Sequence, residues 1–209
     1  MFPGEVILNG PPRKEIALTF DDGPDDTWTP LVLDVLRKHN VKATFMCVGK
    51  RAAANPQVLR RMFQEKHIIG NHSWDHPNLT KIPIKEVINQ IKRCEDEIHR
   101  IIGVRTRFLR PPYGALNEEI IREAIKLNYR IIYWDVDSLD WDGLTARQVA
   151  HNILYNIRPG AIVLQHSAGG RGESLEDTVR ALPVVIETLR REGYRLVTIT
   201  ELLKISPYK

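Results

Sequence analysis

Seven short apolar runs alternate with longer amphipathic segments along this chain of 209 residues, and this alternation limits the fold more than any other feature. The short runs are typical of buried strands, and the longer segments carry apolar residues at helical spacing. Strands that alternate with helices form a parallel sheet, because each right-handed crossover packs a helix back onto the sheet. The sequence therefore predicts an α/β fold, either an open doubly wound sheet or a barrel.

The pattern also places the individual elements. The predicted strands cover residues 15–20, 42–48, 67–70, 107–109, 130–136, 161–165 and 194–199. The predicted helices cover residues 29–39, 55–66, 84–102, 117–127, 145–157 and 173–192, with a short helix from residue 200. Asn55, Asn117 and Thr145 are typical N-cap residues, Gly103 is a typical helix end, and Pro183 predicts a kink.

Polar residues follow five of the predicted strands, and this distribution favours a barrel. A barrel brings the carboxyl ends of its strands together at one mouth, whereas an open sheet spreads some of them apart. The first strand is not followed by a G-x-G-x-x-G or a phosphate loop, which argues against nucleotide binding. We expect a distorted (β/α)7 TIM-like barrel, incompletely closed, in a single domain over residues 1–209 with its core at about 14–204.

Composition excludes several classes of protein. Hydrophobic residues make up 43% and charged residues 27%, a globular balance, and the formal net charge of +4 comes without a run of five like charges. We therefore expect no nucleic-acid partner and infer no obligate protein partner. No run of about eighteen apolar residues predicts a membrane span. Cys47 and Cys94 match no metal-ligand spacing and suggest two small buried residues, although a disulfide between them stays open.

Two adjacent carboxylates, Asp21 and Asp22, end the first strand ahead of a Gly-Pro turn. Adjacent strand residues point in different directions, so one could bind a metal while the other acts as a base. A solvated turn is the alternative, because Asp-Gly-Pro is ordinary turn chemistry.

His72 and His76 form the second cluster. Their spacing of four residues would place both imidazoles on one face of a helical turn, a frequent metal-chelating arrangement. Two unrelated surface histidines are the alternative.

Three further segments follow later strands. Arg110 leads a Pro-Pro-Tyr-Gly turn that would fix the peptide group of Tyr113, Asp140 precedes Trp141, and His166 ends a buried strand. A rigid backbone N–H could donate to an oxyanion, and a flat indole could stack on a sugar ring. Taken singly, each segment is also compatible with an ordinary loop, a half-buried Trp or a core histidine.

Together the five segments resemble, in order, the motifs of the polysaccharide deacetylase family, also called carbohydrate esterase family 4 or the NodB-homology domain. The matching motifs are T-F-D-D-G-P, H-S-x-x-H, R-x-P-Y-G, D-x-x-D-W and L-x-H, over residues 19–166. The resemblance implies a distorted barrel and a divalent metal.

The same resemblance implies a role for each motif residue. Asp21 would be the base, Asp22, His72 and His76 the metal ligands, and His166 the general acid.

The other motif residues would support these five. The implied roles are Arg110 holding the base, Asp140 tuning the acid, Tyr113 donating its backbone N–H, and Trp141 with Leu164 walling the acetyl pocket.

The expected function is therefore metal-dependent hydrolysis of N-acetyl groups from a polysaccharide that contains N-acetylglucosamine, such as peptidoglycan or chitin-type oligomers. Zinc suits two histidines and a carboxylate, with cobalt, nickel and manganese as competitors. An O-acetyl esterase acting on xylan and a non-catalytic carbohydrate-binding module are alternatives. A non-haem iron oxygenase could use the same three ligands, but it would leave Asp21, Arg110, Asp140 and His166 without a role.

Residues 1–15 lack the charged segment and long apolar stretch of a signal peptide. A reaction on a wall polymer nevertheless implies an extracytoplasmic or cell-surface setting. We therefore expect that a leader or anchor is absent from this sequence, with a cytoplasmic setting as the alternative.

Overall fold

The computed structural model of the protein describes residues 4–170 and 172–209. Its strands are β1 (Val6–Ile7), β2 (Glu15–Asp21), β3 (Thr44–Cys47), β4 (Ile68–Asn71), β5 (Phe108–Leu109), β6 (Arg130–Ile132), β7 (Val136–Asp137), β8 (Ile162–His166) and β9 (Arg195–Val197). Its α-helices are α1 (Trp28–Lys38), α2 (Gly49–Ala54), α3 (Pro56–Gln64), α4 (Ile84–Ile102), α5 (Glu118–Lys126), α6 (Ala146–Asn156), α7 (Glu176–Arg191) and α8 (Ile199–Leu203). Short 3₁₀ turns cover Leu79–Lys81 and Pro112–Gly114.

Within the described residues, nine strands form one sheet in which every ladder is parallel, in the order β1-β6-β5-β4-β3-β2-β8-β7, with β9 paired to the start of β2. The two edge strands, β1 and β7, pair with only one neighbour each among the described residues. The sheet therefore curls without closing, and the predicted class, an incompletely closed α/β barrel, is confirmed.

One predicted strand is split, and the split explains where the barrel stays open. Residues 130–136 were expected to form a single strand, yet β6 lies beside one edge of the sheet and β7 forms the other edge. The short segment from Tyr133 to Asp135 thus links β6, beside one edge of the open sheet, to β7 at the other edge. Periodicity could not reveal this, because both halves of the run are apolar and only their partners differ.

Smaller differences concern short elements. The sequence did not predict β1, whose two residues are too few for a pattern, or the six-residue helix α2. Asn55 precedes α3, but its side-chain amide donates to the carbonyls of Pro24 and Arg51 and does not cap the helix. Helix α7 continues through Pro183. Cys47 and Cys94 are buried free thiols.

Alternation along β2 shows how the core is divided. Ile16, Leu18 and Phe20 belong to the large cluster between the sheet and the surrounding helices, whereas Ala17 packs in a second cluster with residues of the other strands and α8. By the same period of two, Thr19 and Asp21 face the barrel interior above Ala17. The inward positions near the carboxyl end of the strand are therefore polar. In the described part of the chain, no helix has the length and apolar character needed to span a bilayer.

The predicted cap of α6 is confirmed, and it offers a test of local stability. Thr145 accepts a hydrogen bond from the Gln148 N–H, and the Gln148 side chain accepts one from the Thr145 N–H. Thr145→Ala should lower the free energy of unfolding by about 1 kcal/mol, because it leaves the Gln148 N–H without its acceptor. Thr27→Ala is the matched control, since Thr27 precedes α1 without capping it. Equal losses in urea titrations of the two variants would contradict this account.

Candidate active site

The carboxyl ends of the strands meet at a cleft of about 780 Å³. The cleft is lined by side chains that follow β2, β4, β5, β7 and β8, which are far apart in sequence. The predicted site residues that line it are Asp21, Asp22, His72, His76, Tyr113, Trp141, Leu164 and His166.

Asp22, His72 and His76 each direct one ligand atom to a common point. Asp22 Oδ1 lies 3.4 Å from His72 Nε2 and 3.2 Å from His76 Nε2, and the three atoms lie within 4.8 Å of one another. Ligands about 2.1 Å from one cation are separated by about 3.4 Å in a tetrahedral site and about 3.0 Å in an octahedral one. The observed spacing therefore fits a single divalent cation.

The protonation pattern of the ligands supports the same fit. His72 Nδ1 lies 2.7 Å from the carbonyl oxygen of Arg110, so this nitrogen carries the proton and leaves the Nε2 lone pair for a metal. Asp22 Oδ1 is buried and has no hydrogen-bond partner among the described residues. A buried carboxylate oxygen without a hydrogen-bond donor is suited to bind a cation.

The pKa values around the cluster show that the site favours positive charge. Burial lowers the pKa of His72, but Asp21 and Asp22 outweigh it and raise the pKa above its ordinary value. Burial and the charge of His72 lower the pKa of His76. Burial raises the pKa of Asp22, but the neighbouring imidazoles outweigh it and bring this pKa well below its usual range. A bound cation would supply the positive charge that this site favours, without protonation of the ligands.

The two histidines do not lie on a helical turn, so the predicted local geometry was wrong. Residues 72–76 form an irregular loop after β4, with left-handed φ angles of 67° at Ser73 and 64° at His76. The imidazole rings still approach each other, with centroids 5.0 Å apart. These two left-handed residues reverse the direction of the chain. This reversal, and not a helical turn, brings the two rings together.

The adjacent carboxylates also differ from the expectation that they point apart. Asp22 has a left-handed φ of 72°, which ends the β2 conformation and turns its side chain back to the cleft. As a result Asp21 Oδ2 and Asp22 Oδ1 lie 3.6 Å and 3.4 Å from the same atom, His72 Nε2. The two carboxylates share one histidine neighbour, and Asp22 also lies 3.2 Å from His76.

Arg110 lies fully buried against Asp21. Its Nη1 donates to Asp21 Oδ1 over 2.7 Å, and three further N–H groups donate to the Thr19 hydroxyl and to the carbonyls of Ile132 and Tyr133. A buried ion pair needs such additional hydrogen bonds to offset the loss of solvent. The arrangement holds Oδ1 of Asp21 in one place and leaves Oδ2 facing the metal ligands.

His166 and Asp140 form a second polar pair across the cleft. His166 Nδ1 lies 2.7 Å from Asp140 Oδ1, while Asp140 Oδ2 accepts from the His166 N–H and the Thr178 hydroxyl. Burial lowers the pKa of His166, but the hydrogen bond and charge of Asp140, with Asp21 and Asp22 farther away, raise it to about 9. The imidazolium form therefore persists at neutral pH, with Nε2 directed away from Asp140.

Tyr113, Trp141 and Leu164 all line the cleft, but with different exposure. Leu164 is buried, whereas Trp141 is 56% exposed and presents an open indole face. Tyr113 has a φ of 60° as the second residue of a 3₁₀ turn, so its N–H has no carbonyl partner within the turn. Its phenol ring also packs edge-on against His76, with centroids 4.6 Å apart.

Comparisons with known proteins agree with these features. The family profile described as polysaccharide deacetylase matches residues 9–132, which is more than half of the chain. The chain belongs to the polysaccharide deacetylase family. The predicted resemblance is confirmed.

Two relatives of this family member are named for peptidoglycan. A peptidoglycan-N-acetylglucosamine deacetylase of Bacillus cereus is 43% identical over 200 residues, covering 95% of this chain and 72% of the relative. The peptidoglycan-N-acetylglucosamine deacetylase PgdA of Listeria monocytogenes is 42% identical over 190 residues, covering 91% of this chain but only 39% of that protein. The chain thus spans well under half the length of the Listeria relative.

Solved structures of the family share the fold. A peptidoglycan N-acetylglucosamine deacetylase crystallised with a naphthyl N-hydroxybenzamide superposes with a TM-score of 0.95 at 41% identity, covering 98% of this chain and 95% of that one. A chitin deacetylase of Colletotrichum lindemuthianum gives 0.90 at 30% identity, over 99% and 96%. A pseudoenzyme of the family from Bacillus anthracis gives 0.88 at 29% identity, over 96% and 69%.

In this polysaccharide deacetylase family member, the pairing of His166 with Asp140 can be tested by titration. Asp140→Asn should lower the pKa of His166 from about 9 towards its ordinary value near 6.5, because it removes the adjacent negative charge. In the parent protein the raised pKa stabilises the fold fully below about pH 6.5, and this contribution is lost as the pH rises through about 9. NMR titration of the His166 ring measures the shift. An unchanged pKa would show that Asp140 does not control the imidazole.

Sequence reasoning missed several residues that support this family site. Thr178 on α7 donates to Asp140, and Asn71 and Gln90 hydrogen-bond the histidine loop. Gln90 did carry a signal, because it is a polar residue on the α4 face that also presents the buried Val87 and Ile91. No comparable signal in the sequence marks Asn71 or Thr178.

Proposed function

We propose that the chain is a metal-dependent N-deacetylase that releases acetate from N-acetylglucosamine units of a polysaccharide, with peptidoglycan as the first candidate substrate. The observation that carries this proposal is the convergence of two carboxylates and three histidines, Asp21, Asp22, His72, His76 and His166, in one cleft. The names of the relatives from Bacillus cereus and Listeria monocytogenes support the choice of glycan.

Asp22, His72 and His76 would hold the metal, and zinc suits this ligand set best, with cobalt, nickel and manganese as alternatives. A divalent cation in this position supplies Lewis acidity to the acetyl carbonyl and lowers the pKa of an attacking water. Three protein ligands leave coordination positions open for both.

Asp21 is the proposed general base. Arg110 occupies its Oδ1 over 2.7 Å, so Oδ2, which faces the ligand set, is the oxygen that accepts the proton of the water. The same ion pair holds the carboxylate in place beside the ligand set. The backbone N–H of Tyr113 is the proposed donor to the oxyanion, and one such donor is typically worth about 3 kcal/mol in the transition state.

His166 is the proposed general acid. An amide nitrogen leaves poorly without a proton, and the hydrogen bond to Asp140 keeps His166 in its imidazolium form and fixes its orientation. The proton passes from Nε2 to the departing sugar amine. Trp141 and Leu164 are the proposed walls of the acetyl pocket, and the exposed indole face of Trp141 would also contact the sugar ring.

Acetate release tests the proposal directly. The protein should release acetate from peptidoglycan or chitin oligomers, and a chelator should stop the release until a divalent metal is returned. Acetylxylan run in parallel tests for an O-acetyl esterase, whose chemistry differs only in the leaving group. Release from acetylxylan alone would reject the proposed amide substrate, and release that resists chelation would reject the metal.

A non-catalytic carbohydrate-binding protein is the second candidate, because the family includes a structure described as a pseudoenzyme. A binder has no use for an acid held like His166, so the Asp140–His166 pair favours the enzyme. Glycan binding without acetate release in the assay above would favour the second candidate.

For its setting, we propose an extracytoplasmic or cell-surface location with a glycan as partner, because the relatives are named for peptidoglycan. Fractionation of cells that produce the full-length protein, with immunodetection, tests this location.

A further inference from the structure

The backbone of the histidine loop is held mainly by side chains. All five backbone N–H groups of residues 72–76 donate hydrogen bonds. Only the His72 N–H donates to a backbone carbonyl, that of Cys47. The Ser73 N–H donates to Asn71 Oδ1 over 2.9 Å, and the His76 N–H donates to Ser73 Oγ over 3.1 Å. An irregular segment has no ladder to fix it, so these side chains determine its shape.

Gln90 makes two of these five contacts. Its carbonyl oxygen accepts from the N–H of Trp74 over 3.0 Å and from that of Asp75 over 3.1 Å. These are the peptides midway between the two histidine ligands. Gln90 is only 4% exposed, and its amide nitrogen donates to Glu86 Oε1 one helical turn earlier. The side chain is therefore held at both ends between α4 and the loop.

The opposite side of the loop is fixed by α2. The N–H groups of Gly49 and Lys50 donate to the carbonyls of Ser73 and Trp74 over 3.0 Å and 2.7 Å. A Cβ on Gly49 would lie 2.7 Å from the Trp74 ring and 2.9 Å from the Cys94 backbone, so this helix approaches the loop as closely as sterics allow. Contacts from α2 and α4 thus leave the segment between the two histidines little room to move.

We propose that Gln90 is a positioning residue of the metal centre. By accepting from the Trp74 and Asp75 peptides, it sets the separation of His72 and His76 at the value that one cation requires. In the described part of the chain, Gln90 does not line the cleft and hydrogen-bonds to no side chain of a metal ligand, so it acts only through the loop. The inference rests on the metal site of the proposed function.

The test removes the acceptor and keeps the bulk of the side chain. Gln90→Met should weaken Co²⁺ binding to the metal-free protein by about 10- to 100-fold, the range typical for partners that orient metal ligands. Isothermal titration measures the affinity. The visible absorption bands of bound Co²⁺ report the ligand geometry without any activity assay, and they should shift or broaden.

Gln165→Met is the matched control. Gln165 is fully buried beside His166, and its side-chain amide has no hydrogen-bond partner among the described residues. The substitution is chemically identical but leaves the histidine loop untouched, so Co²⁺ affinity and spectrum should equal those of the parent protein.

A double variant tests the mechanism further. Glu86→Gln with Gln90→Glu exchanges donor and acceptor between the two side chains, which keeps an acceptor for the loop and a hydrogen bond within α4. This variant should recover most of the lost affinity and the parent spectrum. If Gln90 had only a structural role, the double variant would not recover the Co²⁺ affinity or the parent spectrum.

The proposal is overturned if folded Gln90→Met binds Co²⁺ with the parent affinity and spectrum, or if Gln165→Met loses as much affinity. It is also overturned if the double variant stays as weak as Gln90→Met. If the parent protein itself binds no divalent metal, the proposed function fails first, so the two failures are distinguishable.

Discussion

His72→Ala should weaken binding of a divalent metal by more than about 100-fold, beyond what loss of an outer hydrogen-bond partner costs. His72 supplies one of three ligand atoms, and its ring is oriented by the Arg110 carbonyl before any metal arrives. Alanine removes the donor atom and leaves Asp22 and His76 as a two-ligand site. Metal content after dialysis and titration with Zn²⁺ or Co²⁺ measure the loss, and acetate release should fall with it.

His99→Ala is the control for this result, because His99 is an exposed residue of α4, outside the cleft. This variant should bind metal as the parent protein does. If His72→Ala retains stoichiometric metal with the parent affinity, then Asp22, His72 and His76 are not the ligand set, and the proposed function loses its central observation.

His166→Ala should lower kcat for the amide substrate by about 10²- to 10⁴-fold while the metal stays bound, which is the usual contribution of a general acid. His166 is not among the three ligand residues, and its Nδ1 is engaged by Asp140. Removing it leaves attack on the carbonyl intact but leaves the departing amine without a proton. Kinetics on an N-acetylated glycan together with metal analysis separate this effect from metal loss.

An activated aryl acetate makes the role of His166 specific. A phenolate with a low pKa leaves without protonation, so His166→Ala should lose far less activity on this ester than on the amide. Asp21→Asn, in contrast, should lose activity on both substrates, because water must be deprotonated in each case. Equal losses of His166→Ala on the ester and the amide would reject the assignment of His166 as the acid.

Backbone strain is concentrated around this site. Asp22, Ser73, His76, Tyr113 and Leu139 all adopt left-handed φ angles, in loops that follow β2, β4, β5 and β7. For residues other than glycine this region is sparsely populated and costs about 1 kcal/mol or more at each position. The surrounding hydrogen bonds stabilise the strained conformations, which turn the ligand and donor groups into the cleft.

The helices other than α2 and the parallel class of the sheet followed from the sequence because they depend on local patterns. Helix α4 begins and ends at the predicted residues, Ile84 and Ile102, since its apolar stripe and Gly103 are both local signals. The five motifs likewise indicated the family and the residues of the cleft, because their order along the chain shows which strands end in polar residues.

Tertiary structure alone decided how those residues meet. The split between β6 and β7 depends on partners more than twenty residues away, and the left-handed turn at Asp22 brings two adjacent carboxylates to one imidazole. The histidine loop is held by hydrogen bonds from Asn71, Gln90 and α2. The periodicity of apolar residues shows which face of a helix or strand is buried, because the buried positions recur with the repeat of that helix or strand. The conformation of an irregular loop is set by hydrogen bonds from distant side chains, so it exists only once the barrel has formed.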